Sequence, residues 1–298
     1  MKGKLAYESA IVLLFAGLAC ALQALRGIVG VQLGMGFSLD LVAVPALLAF
    51  FLYGLRNGLA VLLLTSVFIA FSEPAGWLGA AMKLAATIPM IAVPAFYSLS
   101  MKRGFGAGKP VMSMFFALFI ALFAFVAWEA VTAPLPPAQS LGWGAGGLVF
   151  AMPLGSFLIG LLPLAAVFAF ALGLIPLWER NSRGLSPFPF EQPRLVVEVL
   201  LVAFFIRCTA MAVATYYCVG PAYWGVSPYA AMAAVPIYAV FAFNIAQGAL
   251  EMFAAWVIVF KLGLERYAAW QAPARYQSAS PVRAARSRAR PSRRSSRR

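Results

Sequence analysis

Apolar residues run in unbroken stretches along this chain, and the breaks between them are short, charged or rich in Pro and Gly. Because the stretches are continuous rather than alternating, and lipid leaves a bare backbone unsatisfied, they predict helices and not barrel strands. Eight reach or approach the roughly 20 residues that cross a bilayer. They lie near 5–25, 39–55, 58–72, 77–99, 110–132, 148–177, 194–218 and 229–262. The third is short and ends at Ser72-Glu73-Pro74, so it reads as tilted, incomplete or half of a tight hairpin with the second.

Polar residues inside these stretches are few, and their spacing is informative. The last stretch, AVFAFNIAQGALEMFAAWVIVF from Ala239 to Phe260, carries Asn244, Gln247 and Glu251. At 100° per residue Asn244, Gly248, Glu251 and Ala255 share one narrow face, with Gln247 about 60° to the side. That stripe either binds a neighbouring helix or lines a ligand site, since intramembrane polar and ionisable groups serve both ends. Lys83 lies about two turns into its helix, Arg207 near the middle of the seventh and Glu198 nearer that helix's inner end. Glu198 and Arg207 are nine residues apart and face opposite ways, so each needs a partner on another helix. Arg207 is either a salt-bridged structural residue or a clamp for a substrate.

Ala6, Ala10, Gly17, Ala21 and Ala24 of the first stretch fall within about 60° of one another. Such a strip of small residues suits close packing, against a helix of the same chain or of another subunit. Trp77, Trp143, Tyr223, Trp224, Tyr229 and Tyr238 gather at the outer helix ends, as an interfacial belt does. Tyr223 and Trp224, beside Pro221 and just beyond the Arg207 helix, are also placed to stack on a flat ligand.

Composition agrees with a polytopic all-α membrane protein: 63% of the 298 residues are hydrophobic and 11% charged. The basic residues fall on alternate loops, at Lys2 and Lys4, Arg56, Lys102 with Arg103 and Lys109, Arg180 with Arg183, and from Lys261 onward. Those loops are expected on the cytoplasmic side, and an even number of spans puts both termini there, in a cell membrane. The bundle is expected over 1–270, followed by a disordered basic tail, 271–298. The net charge of +14 owes much to nine arginines between Arg275 and Arg298, set among Ser, Ala and Pro, which read as a lipid-facing anchor and not as a nucleic-acid site.

Chemistry is conspicuous by what is missing. There is no His, and Cys20, Cys208 and Cys218 all lie within predicted spans, so no metal site, disulfide framework or His-based catalysis is expected. The loop GFGAGKP, Gly104 to Pro110, has Arg103 and Pro110 where a phosphate-binding loop needs Gly and Ser or Thr. With no catalytic constellation the chain reads as a non-enzyme that needs no cofactor of its own.

Three blocks resemble a known family. DLVAVPALLAFFLYGLRNGLA from Asp40, IRCTAMAVATYYCVGPAYWG from Ile206 and AFNIAQGALE in the last helix are similar to the S components of energy-coupling-factor vitamin transporters, most of all the riboflavin-specific ones. The resemblance implies a six-helix bundle with a ligand pocket open to the outside, and it covers about 1–100 and 194–267, leaving roughly 110–178 as an inserted helical hairpin. It also implies a transmembrane coupling subunit and two cytoplasmic ATPase subunits as partners, met through the face of Ala6, Ala10, Gly17 and Ala21. Asp40, Lys83, Arg207, Tyr223, Asn244 and Gln247 would then bind a small vitamin. This chain has Gln247 where the riboflavin pattern has Lys, Thr215 where it has Asn, Ala43 where it often has a second acid and Lys83 where it often has Asn. The other reading of the buried charges is a stand-alone secondary transporter in which Glu251, Glu198 or Lys83 takes up protons.

Overall fold

The computed structural model describes residues 2–34, 37–72, 76–100, 108–132, 154–181 and 193–264. The GFGA part of the loop before Gly108, Glu73, Trp143, Arg183 and the basic tail lie outside the described residues. Among those that are described, seven helices are long and apolar enough to cross a membrane, and the protein is a polytopic helical bundle.

Helix α1 (Lys2–Ala24) leads through a single turn, α2 (Arg26–Val29), into an antiparallel pair of short strands, β1 (Val31–Gly34) and β2 (Phe37–Leu39). Then come α3 (Val44–Tyr53), α4 (Leu55–Ser72) and α5 (Gly76–Ser100). Helices α6 (Gly108–Thr132) and α7 (Leu154–Asn181) precede α8 (Pro193–Ala214), whose continuation, Thr215–Trp224, is wound with π-type turns. The short α9 (Pro228–Ala234) and α10 (Ile237–Trp256), with a π-wound end at Val257–Lys261, complete the bundle.

The half-length element is the second apolar stretch, not the third. Pro45 fixes the first turn of α3, and Gly54 closes the helix after ten residues at φ 93° and ψ 178°. Only glycine settles readily in that backbone region. At about 1.5 Å per residue α3 is roughly 15 Å long, half a bilayer, whereas α4 has its full 18 residues. The chain doubles back so tightly that a Cβ on Gly58 would fall 2.7 Å from Phe50 Cβ. Trp178 of α7 lies over the turn, its Nε1 2.9 Å from where a Cβ on Gly54 would be.

Helices α5 and α8 form the centre: 72% and 61% of their most apolar windows are buried, against 22% for α1 and for α6. Helices α6 and α7 pack on them from one side, with Phe115 stacked on Phe170 at 4.2 Å and Phe205 of α8 between Phe116 and Phe123. The π-wound extension of α8 follows from Pro221, which has no N–H for the carbonyl four residues back, so the helix widens to take it. It ends at Gly225, in the left-handed region at φ 68°.

Candidate functional site

The short α3 sets the site. Because the helix starts only at Val44, the chain comes into the bundle as extended backbone and brings Asp40 against α5 and α10. Asp40 turns on itself, its Oδ1 accepting from the Val42 N–H at 3.1 Å. Gln247 of α10 then pairs with the Asp40 peptide as a neighbouring strand would. Its Oε1 accepts from the Asp40 N–H at 3.1 Å and its Nε2 donates to the Asp40 carbonyl at 2.7 Å. Farther along, Phe51 meets Phe260 edge-on at 5.6 Å, so α3 ends beside the π-wound segment that follows α10.

From this clasp a chain of alternating charges runs into the bundle. Lys83 of α5 donates to Asp40 Oδ1 at 3.0 Å and to Glu251 Oε1 at 2.9 Å. Glu251 also accepts from Gln247 Nε2 at 2.8 Å and, through Oε2, from Arg207 Nη1 at 3.0 Å. Arg207 donates further to the carbonyl of Ala86 at 3.3 Å. At the outer end Arg26 Nε stands 3.8 Å from Asp40 Oδ2. The outer members are partly accessible and the inner ones are not: the side chains of Arg26, Asp40 and Lys83 are 27%, 11% and 14% accessible, those of Arg207 and Glu251 3% and 1%. The inner ions are thus removed from water, where an unpaired charge is very costly and a paired one is tolerated.

Asp40 lies between α1 and α3, outside the seven long helices, and its ionisation is a balance. Burial pushes its pKa up, while the charge and hydrogen bond of Lys83, the Val42 N–H and the charge of Arg26 pull it down, and the net result lies below the ordinary carboxylate value. Its contacts with the Lys83 ammonium and the Val42 N–H are those of an accepting carboxylate.

The sequence-predicted residues divide into three groups. Asp40, Lys83, Gln247 and Arg207 come together in one network, joined by Glu251. Asn244 is buried on the same face of α10 but gives its Nδ2 to its own helix, to the Val240 carbonyl at 2.8 Å. Tyr223 is 53% exposed on the π-wound segment and takes no part in the network, while Trp224 beside it is buried. The face of Asn244, Gly248, Glu251 and Ala255 is buried throughout, as the 100° period predicts. Glu198 is exposed, and the partner of Arg207 is Glu251, on another helix as its spacing from Glu198 demands. On α1 the small-residue face turns outward: Ala6, Ala10, Gly17, Ala21 and Ala24 are all exposed, and Ile11, Ala16, Ala19 and Gln23 face the bundle.

One participant carried little signal in the sequence: Arg26 stands out only as a basic residue at a helix end. Among the described residues no group of three or more His, Cys, Asp or Glu is arranged to hold a metal ion, and all three cysteines are free. No family model, curated protein or solved structure matches the chain.

Proposed function

We propose that the protein is the substrate-capture subunit of an ATP-driven vitamin transporter of a cell membrane, taking riboflavin or a related small water-soluble vitamin from outside. One observation carries this reading. Of the six positions that the family resemblance assigns to ligand binding, Lys83, Arg207 and Gln247 converge on Glu251, and Asp40 joins them through Lys83 and Gln247, in one series of polar groups that leads from partly accessible to buried. A purely structural helix contact would be served by one or two such groups. A site that must tell one heterocycle from another uses several, because an unmatched ligand leaves buried groups unpaired.

The absence of any ATP-binding signature in the sequence fits a subunit that borrows its energy from partners, a coupling subunit and two ATPases. The alternation of basic loops supports cytoplasmic termini.

Proton coupling finds less support. Glu251 accepts from two cations and an amide, and Lys83 lies between two carboxylates. A change of charge on either would strand a buried partner.

The test is titration of the detergent-purified chain with riboflavin, followed by quenching of flavin fluorescence. One-to-one quenching is expected, weakened about three- to tenfold or more in Gln247→Ala. Uptake in proteoliposomes that depends on a proton gradient and needs no ATPase subunits would overturn the capture-subunit reading.

A further inference from the structure

Apart from Arg26 Nε, which faces Asp40 Oδ2 at 3.8 Å, two buried polar atoms at the inner part of the charge network make no hydrogen bond: Nε of Arg207 and Oγ1 of Thr87. Both residues are among the most buried in the protein, at 2% and 0% exposure. A hydroxyl within a helix ordinarily donates to the carbonyl four residues back, as Thr65, Ser66 and Ser98 do here at 2.8–2.9 Å. Thr87 does not. It lies one turn beyond Lys83 on the same face of α5, and one residue past the carbonyl that receives Arg207 Nη1. Thr209 and Thr215 also have unpartnered hydroxyls, but Thr209 points about 160° away from Arg207 around α8, and Thr215 begins the π-wound segment two turns on.

The facing helix α10 gives Arg207 one side-chain acceptor, Glu251 Oε2, which takes Nη1. A turn earlier it has Gly248, which has no side chain to offer Nε and where a Cβ would fall 2.8 Å from the Phe204 ring and 3.4 Å from Arg207 Cδ. A guanidinium only donates, so what Nε lacks is an acceptor, and one carbonyl oxygen with two lone pairs can serve both Nε–H and the Thr87 hydroxyl. The ionic balance bears on the charge of that acceptor. Asp40 and Glu251 offset Lys83 and Arg207, with Arg26 at the accessible outer end. A charged group brought to the inner end would leave an uncompensated charge in the interior, whereas a neutral one keeps the balance.

We propose that Arg207 and Thr87 form the inner end of the capture site and receive a neutral carbonyl of the ligand, in an amide or a ring lactam. The proposal rests on the capture reading and narrows it to solutes that are uncharged where they meet Arg207.

Calorimetric titration of the full purified chain tests it, with riboflavin, nicotinamide and panthenol as neutral carbonyl-bearing or amide probes and nicotinate, pantothenate and thiamin as charged ones. At least one neutral probe is expected to bind, about tenfold or more tighter than any charged one. Thr87→Val keeps the shape and removes only the unmatched hydroxyl. It is expected to weaken that probe about three- to tenfold while the ligand-free unfolding temperature stays level or rises. A charged probe that binds as tightly as any neutral one overturns the neutral-carbonyl assignment and leaves the capture reading standing. Unchanged affinity in Thr87→Val reduces Thr87 to a packing residue and overturns its part. Failure of all six probes to bind folded protein overturns both this assignment and the vitamin reading.

Discussion

Glu251 is the residue on which the buried charges depend. It is 1% exposed and accepts from Lys83, Arg207 and Gln247, so its loss leaves Arg207 with a single backbone carbonyl for a partner. Breaking a buried pair from one side typically costs about 3–5 kcal/mol, most of it the stranded charge. Glu251→Met is therefore expected to lower the unfolding temperature in detergent strongly. The double variant Arg207→Met with Glu251→Met should be more stable than Glu251→Met alone, since Lys83 keeps Asp40. If the double variant loses the sum of the single losses, Arg207 and Glu251 are not coupled and the pair contributes nothing specific. At this scale the sequence was partly legible. The 100° period placed Asn244 and Glu251 on one face with Gln247 about 60° to the side, because helix geometry is local. The identity of the partners was not, because Asp40, Lys83 and Arg207 are brought to Glu251 by packing between elements more than 40 residues apart in the chain. Thr87 was invisible for another reason: what singles it out is a hydrogen bond it does not make.

Among the elements, the turn between α3 and α4 has the most consequence for the site, since the shortness of α3 is what carries Asp40 inward. Apolar patterning marked 39–55 as a span without revealing where regular helix begins, because Leu41, Val42 and Ala43 are as apolar as the helix that follows. The stop at Gly54 is likewise a conformational matter, a glycine at φ 93° under an indole, and hydrophobicity does not record it. Gly54→Ala is expected to cost about 1–3 kcal/mol from the backbone alone, with more from the meeting with Trp178. Trp178→Phe in the same chain should return only the second part. Comparing the unfolding temperatures of the two variants separates the contributions. A Gly54→Ala protein as stable as the wild type would mean that the turn is not held in this conformation. The π-wound end of α8 teaches a similar lesson: the apolar pattern ended this stretch near 218, yet the helix takes in Pro221 by widening and continues to Trp224.

For the molecule as a whole, the outward face of α1 is where the proposed partners bear on the structure. The helix lies at the edge of the bundle, and its small residues face away from it alongside Leu13, Leu14 and Leu18, while a Cβ on Gly17 would touch nothing within 4 Å. Lipid alone would be as well served by large apolar side chains as by small ones, whereas a second helix needs small residues to approach. Replacing Ala10 and Gly17 together by leucine adds bulk only where nothing of this chain lies. The variant is expected to fold with an unchanged unfolding temperature and to bind ligand as the wild type does. In proteoliposomes holding the coupling and ATPase subunits, its ATP-driven uptake should fall at least about tenfold, because two leucines hold the helices apart and helix contact in lipid rests on close packing. Full uptake by the double variant would show that lipid covers this face and would move the partner surface elsewhere on the bundle. Loss of ligand binding together with uptake would instead tie α1 to the network through Arg26, which follows one residue after the end of α1 and stands beside Asp40.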